Sequence, residues 1–186
     1  MMHMRMAGII LATAVLAGTA ALAQVQQEQP TSALKGHNTN APVDVTSDRI
    51  EVQERADRAV FVGNVHATQA DLTLDTQRLT VAYSTGHGSN NVQINRLDAA
   101  GGVVVRDATE TAKGDFGVYD LDRKLITLIG NVQLTRDNNQ VNGARLVIDL
   151  NSGRAVIDGG PPGVNSTGGR VSGHFTVPQH QQQPSK

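Results

Sequence analysis

The sequence contains no cysteine and no tryptophan, and its aromatic residues are limited to three phenylalanines and two tyrosines. Without cysteine, the chain has no disulfides, no thiol nucleophile, no cysteine metal ligand and no cysteine-linked lipid anchor. Sites for sugars or single-stranded nucleic acid usually stack their ligands on aromatic side chains. The scarcity of aromatic residues therefore argues against binding of glycans or single strands.

The chain also has no excess of charge of either sign. Its 16 basic and 17 acidic residues give a formal net charge of −1 at pH 7, and they are spread evenly along the sequence. A nucleic-acid site or a site for an anionic membrane surface would require a basic cluster. We therefore expect no nucleic-acid partner.

Long apolar runs are missing except at the N-terminus. Residues 1–23 contain Arg5, the apolar run AGIILATAVLAGTA and a final Ala21-Leu22-Ala23, which is the pattern of a cleavable secretory signal peptide. An uncleaved anchor is the alternative, but the run is short and interrupted by threonine and glycine, whereas a membrane span needs ~20 apolar residues. We predict an exported, soluble chain that starts at Gln24.

Two segments of the remaining chain show no hydrophobic period. Residues 24–41 are polar and are interpreted as a disordered leader, and the glutamine-rich residues 178–186 as a disordered tail. Residues 42–177 are left as one folded domain, with a repeat body at 42–160. Within it, the run STGHGSNN at residues 84–91 indicates a loop insertion, to which we assign no role.

The folded region consists of short apolar patterns with a period of two. In residues 125–134, LITLIGNVQL, apolar residues alternate on both sides of Gly130, so they share one face of a strand bent at the glycine. The pattern recurs at Gly63 and Gly101, and more weakly at Gly159. We predict a repeat of about 30 residues, almost no helix, and roughly a dozen or more strands of ~5 residues.

Histidines and carboxylates could carry catalysis or bind a metal. The histidines after residue 23 have no metal-ligand spacing, and they are His37, His66, His87, His174 and His180. Glycan-cleaving β-solenoids place two or three acids on one sheet face, and the candidate pairs are Asp71/Asp75, Asp107/Glu110 and Asp120/Asp122. Turns and solvated strand faces explain these acids better. We expect no enzyme activity, no metal and no cofactor.

Several longer segments resemble the OstA-like family. They are the opening VDVTSD, two Gly-Asn-Val turns, the hairpin Tyr119-Asp120-Leu121-Asp122 and the segment GARLVIDL, which together span about residues 42–160. The resemblance implies an all-β fold, an elongated, twisted and open β-jellyroll of repetitive antiparallel strands. It also implies a periplasmic bridge protein of lipopolysaccharide export that forms head-to-tail homo-oligomers. Its implied partners are the OstA domains of an inner-membrane LptC-like and an outer-membrane LptD-like protein.

The resemblance further implies an apolar groove that holds the acyl chains of lipid A and leaves the sugars outside. Physical chemistry agrees, because each methylene exposed to water costs ~0.8 kcal/mol and a lipid crossing water needs a continuous apolar sleeve. We predict that the groove is lined by apolar residues on one sheet face, namely Val43, Val45, Ile50, Val52, Phe61, Val65, Leu72, Leu74, Phe116, Leu128, Val132 and Leu134. The sequence does not separate lipid contact from ordinary core packing for any of them.

The sequence also fits two other kinds of protein. The chain could be an inner-membrane-anchored or other OstA-like component of the same pathway, or a secreted structural β-solenoid with a packed interior and no ligand. No helix is predicted to cap the ends of the repeat. The terminal arms Pro42–Thr46 and Leu146–Ile157 are therefore predicted to be free edges that pair with further copies.

Overall fold

The computed structural model describes Leu34 and residues 37–85, 92–160 and 169–177. The predicted signal peptide and tail, and residues 86–91 of the insertion, lie outside them. The described residues contain no α-helix, and hence none that could span a bilayer. Their one sheet consists of ten antiparallel strands, which are β1 (Asp44–Thr46), β2 (Arg49–Gln53), β3 (Arg58–Gln69), β4 (Leu72–Thr85), β5 (Val92–Arg106), β6 (Glu110–Asp120), β7 (Leu125–Arg136), β8 (Asn139–Asp149), β9 (Arg154–Asp158) and β10 (Ser172–His174).

The sheet is open, and strands β3 to β8 follow one another in sequence order. At one end β1 and β2 both pair with β3, and at the other end β9 and β10 both pair with β8. A 3-10 turn at Glu54–Ala56 connects β2 to β3. The predicted all-β, unclosed architecture of antiparallel strands is confirmed.

Most of the long strands bend at one level of the sheet, where bulges interrupt the pairing. The register of β3 with β4 shifts between Val62 and Val65, and that of β7 with β8 between Ile129 and Val132. Glycine lies at each of these bulges because the backbone there is left-handed, with φ of 82° at Gly63 and 80° at Gly130. The glycine bends that the sequence predicts are therefore bulges inside continuous strands.

An aspartate and an asparagine complete two of these bends. Asn64 and Asn131 follow the glycines with φ of 45°, which asparagine tolerates better than most residues. Asn64 Nδ2 donates to Asp48 Oδ2 at 2.9 Å, and Asn131 Nδ2 donates to Asp115 Oδ2 at 2.8 Å. A Cβ on either glycine would collide with the same carboxylate. The two bends are therefore built in the same way.

The bends fold the sheet into two layers that face each other. We call upper the layer that contains β2, β9 and the parts of β3–β8 on the side of Leu79 and Leu128, and lower the layer that contains β1, β10 and the remaining parts. Side chains from both layers meet inside, since a Cβ placed on Gly117 of the upper layer would lie 3.0 Å from Val103 of the lower layer. The most deeply buried side chains flank the bends, and they are Leu79, Leu128 and Leu146 above and Val65, Val103 and Val132 below.

The sheet consists of two equivalent halves, β1–β5 and β6–β10. Sixty-seven residues separate Asp48 from Asp115, and the same number separates Gly63 from Gly130. In this correspondence β1 and β2 match the two ends of β6, and β3 matches β7, which is also 12 residues long. The predicted repeat of about 30 residues is thus roughly half of the structural unit.

The prediction of a dozen or more strands of ~5 residues is wrong for the described part of the chain. Ten strands are present there, and six of them are 11 to 15 residues long. Apolar pairs on either side of a bulge belong to one strand that continues through it, so counting them as separate strands overestimates the number. The last of the ten, β10, has only three residues.

Candidate functional site: the apolar interior

The interior face of the two layers holds most of the predicted groove residues. Val65, Leu72, Leu128 and Val132 are buried in the core at 0–5% exposure. A further group is half-buried and packs against that core, and it consists of Val43, Val45, Phe61, Leu74 and Leu134. Alternation along the strands therefore places these residues on a single apolar surface.

Ile50 and Val52 of β2 belong to the same face but lie at its uncovered end. Ile50 pairs directly with Phe61 and Val52 with Ala59, and directly opposed residues of antiparallel strands point to the same side of the sheet. Ile50 is nevertheless 55% exposed and Val52 57% exposed. The apolar interior thus continues to the N-terminal edge of the sheet, where nothing among the described residues buries it.

The placement of Phe116 inside the groove is wrong. Phe116 is 55% exposed and lies on the outer surface, where it pairs with Ala100 and Ile129. The pairing of β6 with β7 shifts between Lys113 and Phe116, so the strand presents Gly114 and Gly117 to the interior instead. This irregularity reverses the side to which Phe116 points.

The interior is filled by its own side chains. The cavities between the layers measure about 20, 10 and 20 Å³, and each has room for about one water molecule. Most of the side chains that line these cavities are aliphatic, including Leu72 and Leu97. An acyl chain could enter only if the lining side chains or the layers moved apart.

Gln69 and Thr76 are buried polar residues, each at 4% exposure, and the side chain of His37 is 1% exposed. Thr76 Oγ1 donates to the carbonyl of Ala100 at 2.8 Å. Gln69 lies at the open side of the interior, opposite the bends, and its Oε1 accepts a hydrogen bond from Tyr119 Oη at 3.1 Å. This bond joins the lower layer to the upper one. Burial raises the pKa of Tyr119 to about 12, so the phenol remains a neutral donor at physiological pH.

Residues before β1 close the open side. His37 Nε2 lies 3.1 Å from Gln69 Oε1, and His37 Nδ1 lies 2.8 Å from Asp71 Oδ1. The hydrogen bond from His37 lowers the pKa of Asp71. Leu34 is only 5% exposed and belongs to the core. The interpretation of residues 24–41 as a disordered leader therefore does not apply to Leu34 and residues 37–41.

The sequence signal for this closure is partial. Gln69 continues the alternation of Val65 and Ala67, which places it on the inner face. A buried glutamine needs hydrogen-bond partners, but their identity is not encoded locally, because Thr39 and Tyr119 lie 30 and 50 residues away. Leu34 follows Ala33 in a mostly polar stretch and belongs to no apolar period.

The acid pairs considered for catalysis serve turns and ion pairs. Asp107 Oδ1 accepts hydrogen bonds from the backbone N–H groups of Thr109 and Glu110, both at 2.7 Å, and Asp120 Oδ1 accepts one from the N–H of Arg123 at 2.9 Å. Glu110 faces Arg136 at 3.3 Å, and burial raises the pKa of Glu110. Within the described ranges no group of three or more histidines and carboxylates could hold a metal ion.

Asp75 and His66 form a separate pair on the outer surface of the lower layer. His66 Nδ1 lies 2.7 Å from Asp75 Oδ1, and the Arg106 guanidinium contacts the other carboxylate oxygen. The hydrogen bond from His66, with a further one from Arg106, lowers the pKa of Asp75. All three side chains are partly exposed, as expected for residues that stabilise a strand surface.

The two ends of the sheet differ from the predicted edges. Pro42–Thr46 does contribute the edge strand β1, but β2 forms the rest of that edge. At the C-terminal end, Leu146 to Asp149 belong to β8, which pairs with β7 on one side and β9 on the other. The free edge among the described residues is therefore β9 together with β10, and only the last part of the predicted arm Leu146–Ile157 lies on it.

Comparisons with known proteins give one consistent result. Residues 44–154 match the family model described as LptA/(LptD N-terminal domain) LPS transport protein. A protein of Rhizobium meliloti (strain 1021), described as uncharacterized, is 30% identical over 164 residues, which cover 85% of this chain and 82% of that protein. The fold is similar to the crystal structure of LptH of Pseudomonas aeruginosa, described as the LptA-homologous periplasmic component of a lipopolysaccharide transport device. That likeness has a TM-score of 0.65 at 15% identity and covers 76% of this chain and 99% of LptH.

Proposed function

Because this chain belongs to the LptA/(LptD N-terminal domain) family of LPS transport proteins, we propose that it is a periplasmic bridge that carries lipopolysaccharide from the inner to the outer membrane. The acyl chains of lipid A travel through the interior, and the sugars stay outside. The observation that carries this proposal is the single apolar face that runs from the buried row at Leu79 and Leu128 to the exposed Ile50 and Val52.

The energetics favour a lipid cargo for such a face. An acyl chain of about a dozen carbons costs on the order of 10 kcal/mol in water at ~0.8 kcal/mol per methylene. The interior offers aliphatic contacts and few polar groups, which suits acyl chains better than sugars. Because it is filled without a ligand, entry of a chain must separate the layers, and burial of the acyl chain offsets that cost.

Bridging would use the two free edges. Among the described residues, strand β2 at one end and strand β9 at the other are paired on one side only, and pairing them head to tail would extend both the sheet and the apolar face. Such a heterologous contact does not close on itself, so it produces filaments. The same edges would accept the OstA domains of an LptC-like protein at the inner membrane and an LptD-like protein at the outer membrane.

One observation favours a second candidate, a secreted structural β-solenoid without ligand. The cavities of the interior hold about one water molecule each, as a purely structural core would. The exposed Ile50 and Val52 count against it, because a solenoid that needs no continuation gains nothing from an uncovered apolar end.

Mass spectrometry of lipids that copurify with the protein from its native envelope tests the proposal. The bridge model predicts lipid A species in the purified sample, whereas the solenoid predicts none above the level in a mock purification. N-terminal sequencing of the same sample tests the exported form. A start at Gln24 supports the soluble bridge, and a retained N-terminus that requires detergent supports an inner-membrane-anchored component of the pathway.

A further inference from the structure

A short stretch before β1 crosses the open side of the interior. We call Leu34 together with residues 37–41 the strap. Leu34 is 5% exposed and lines the same small cavity as Ala112 and Leu134 of the lower layer and Ile148 of the upper layer. Its side chain is thus inserted between the two layers, where the lipid-binding proposal places an acyl chain.

Gln69 attaches the strap to both layers. Its Nε2 donates to the carbonyl oxygens of Thr39 at 3.1 Å and Ala41 at 3.0 Å. Its Oε1 accepts from Tyr119 Oη and contacts His37 Nε2, both at 3.1 Å. These four contacts use both donors and both acceptor positions of the amide. Gln69 therefore holds the strap as a latch, and its side chain can form no further hydrogen bond.

The strap closes a space that is otherwise open to water. A cleft of about 450 Å³ lies between residues 39–43, which include the end of the strap, and Val92, Ile94 and Leu121 of the upper layer. Beside Leu34 itself the remaining cavity is about 10 Å³, so an acyl chain and Leu34 do not fit there together. Displacement of the strap would join the cleft to the interior.

We propose that the strap is a built-in competitor of the lipid, with Leu34 occupying the acyl site of the empty protein and leaving it when an acyl chain enters. This proposal rests on the proposed lipid-binding function. Leu34 buries one short side chain, and an acyl chain buries several times more apolar surface, so the exchange favours the lipid. The carbonyls of Thr39 and Ala41 can bond to water once released, which keeps the exchange reversible.

The test uses the absence of cysteine from the chain. The double variant Leu34→Cys/Ala112→Cys of the delipidated exported chain is designed to form a disulfide on oxidation, because both residues line the same small cavity, and the disulfide would hold the strap inside. The probe is 11-(dansylamino)undecanoic acid, whose fluorescence reports entry into an apolar site. We expect the oxidised protein to bind it at least tenfold more weakly than the reduced protein, and reduction to restore binding. The two single-cysteine variants, treated with the same oxidant, control for the reagent.

A second pair of variants removes the competitor instead of fixing it. Leu34→Ser is expected to bind the probe severalfold more tightly than the unchanged protein. Gln69→Ala, which removes the latch, is expected to act in the same direction. The control is Val171→Ser, since Val171 is 45% exposed and does not belong to the buried core cluster. Its affinity should equal that of the unchanged protein.

The possible failures are distinguishable. If no variant binds the probe in either redox state, the lipid-binding function fails and the strap proposal fails with it. If the protein binds the probe but the oxidised and reduced forms bind equally, the strap alone is overturned. Where the disulfide does not form, the other two variants decide, because unchanged probe affinity of both Leu34→Ser and Gln69→Ala also overturns the strap.

Discussion

The middle of the interior face and its N-terminal end carry the same apolar pattern but differ in burial. Leu79, Leu128 and Leu146 are at 0% exposure, whereas Ile50 is at 55% and Val52 at 57%. The internal repeat explains this difference. Ile50 and Val52 correspond, 67 residues apart, to Gly117 and Tyr119, which are buried because β5 pairs with β6 on that side.

Among the described residues, no strand pairs with β2 on that side. The first half of the molecule supplies strand β5, which covers the edge of the second half. Nothing within the described chain covers the edge of the first half in this way. A second copy, placed with its β9 against β2, would repeat the contact that β5 makes with β6. An apolar period therefore fixes the face to which a residue points, while the burial of that residue depends on whether another strand pairs alongside.

Proline substitutions should give the largest contrast between an internal and an edge strand. Val147→Pro lies in β8, which is paired on both sides, so it removes a ladder donor from the middle of the sheet and should abolish folding. Val156→Pro lies in the terminal strand β9. It should leave a folded protein whose oligomers no longer grow as the protein concentration rises. Circular dichroism and sedimentation velocity over a concentration series measure both effects.

Val156→Thr is the control for the edge, because threonine retains the backbone donor and should still assemble. The contrast breaks down if Val156→Pro assembles as well as the unchanged protein, or if the unchanged protein stays monomeric at all concentrations. The latter result would leave a single-copy lipid carrier in place of a self-assembling bridge.

Alanine substitutions should separate stability from ligand contact on the two parts of the face. Leu128→Ala removes a side chain that is fully buried and should lower the free energy of unfolding by about 2–5 kcal/mol. Val52→Ala removes one that is mostly exposed and should change it by less than about 0.5 kcal/mol, while weakening assembly or lipid capture. Urea denaturation measures the free energies. Equal losses for the two variants would contradict the assignment of the end of the face as uncovered.

The bends permit a matched test among glycines. Gly130 and Gly102 have nearly the same φ, 80° and 79°, but a Cβ would collide with Asp115 at Gly130 and would meet nothing within 4 Å at Gly102. Both alanine variants should be destabilised by left-handed strain of about 1 kcal/mol. Gly130→Ala should lose about 1–2 kcal/mol more, because Asp115 must move. Thermal unfolding that ranks Gly102→Ala as the worse variant would contradict the proposed bend geometry.

Strands β7 and β6 illustrate how far the sequence predicts the structure. Alternation around Gly130 identifies the inner face of β7 correctly, since Ile126, Leu128 and Val132 are all buried. The same counting fails in β6, because the pairing shifts between Lys113 and Phe116. The inner positions change there from Ala112 and Gly114 to Gly117 and Tyr119, so Phe116 points outward. A period of two is informative only between bulges.

Prediction of the strap and of the sheet edges requires contacts between residues that are far apart in the sequence. Leu34 belongs to no apolar period, and its partners Ala112 and Ile148 are far away along the chain. Likewise, the segment Leu146–Ile157 reads as one alternating arm, although a turn divides it into the internal strand β8 and the edge strand β9. Which alternating strand ends a sheet depends on the pairing of all the others.

The smallest expected effect concerns a surface ion pair. Hydrogen bonds from His66 and then Arg106 lower the pKa of Asp75 in the folded protein. A lowered folded pKa stabilises the fold above the unfolded value of 3.8, and this contribution is lost as the pH falls through the folded pKa. Because the side chains are partly exposed, Asp75→Asn should cost less than about 1 kcal/mol at pH 7.

The pH dependence gives the sharper readout for this variant. Its stability deficit relative to the unchanged protein should shrink below about pH 4, as measured by urea denaturation between pH 2.5 and pH 7. A deficit that stays constant through the acid range would show that the carboxylate charge makes no contribution to stability.

Site-specific photo-crosslinking distinguishes transport through the interior from transport along the outer surface, because the chain has two positions of nearly equal exposure on opposite faces. Val52 is 57% exposed on the inner face, and Phe116 is 55% exposed on the outer surface. With p-benzoylphenylalanine at either position, in cells that export lipopolysaccharide, transport through the interior predicts a lipopolysaccharide adduct from position 52 and none from position 116. Equal capture at the two positions, or capture only at position 116, would contradict transport of the lipid through the interior.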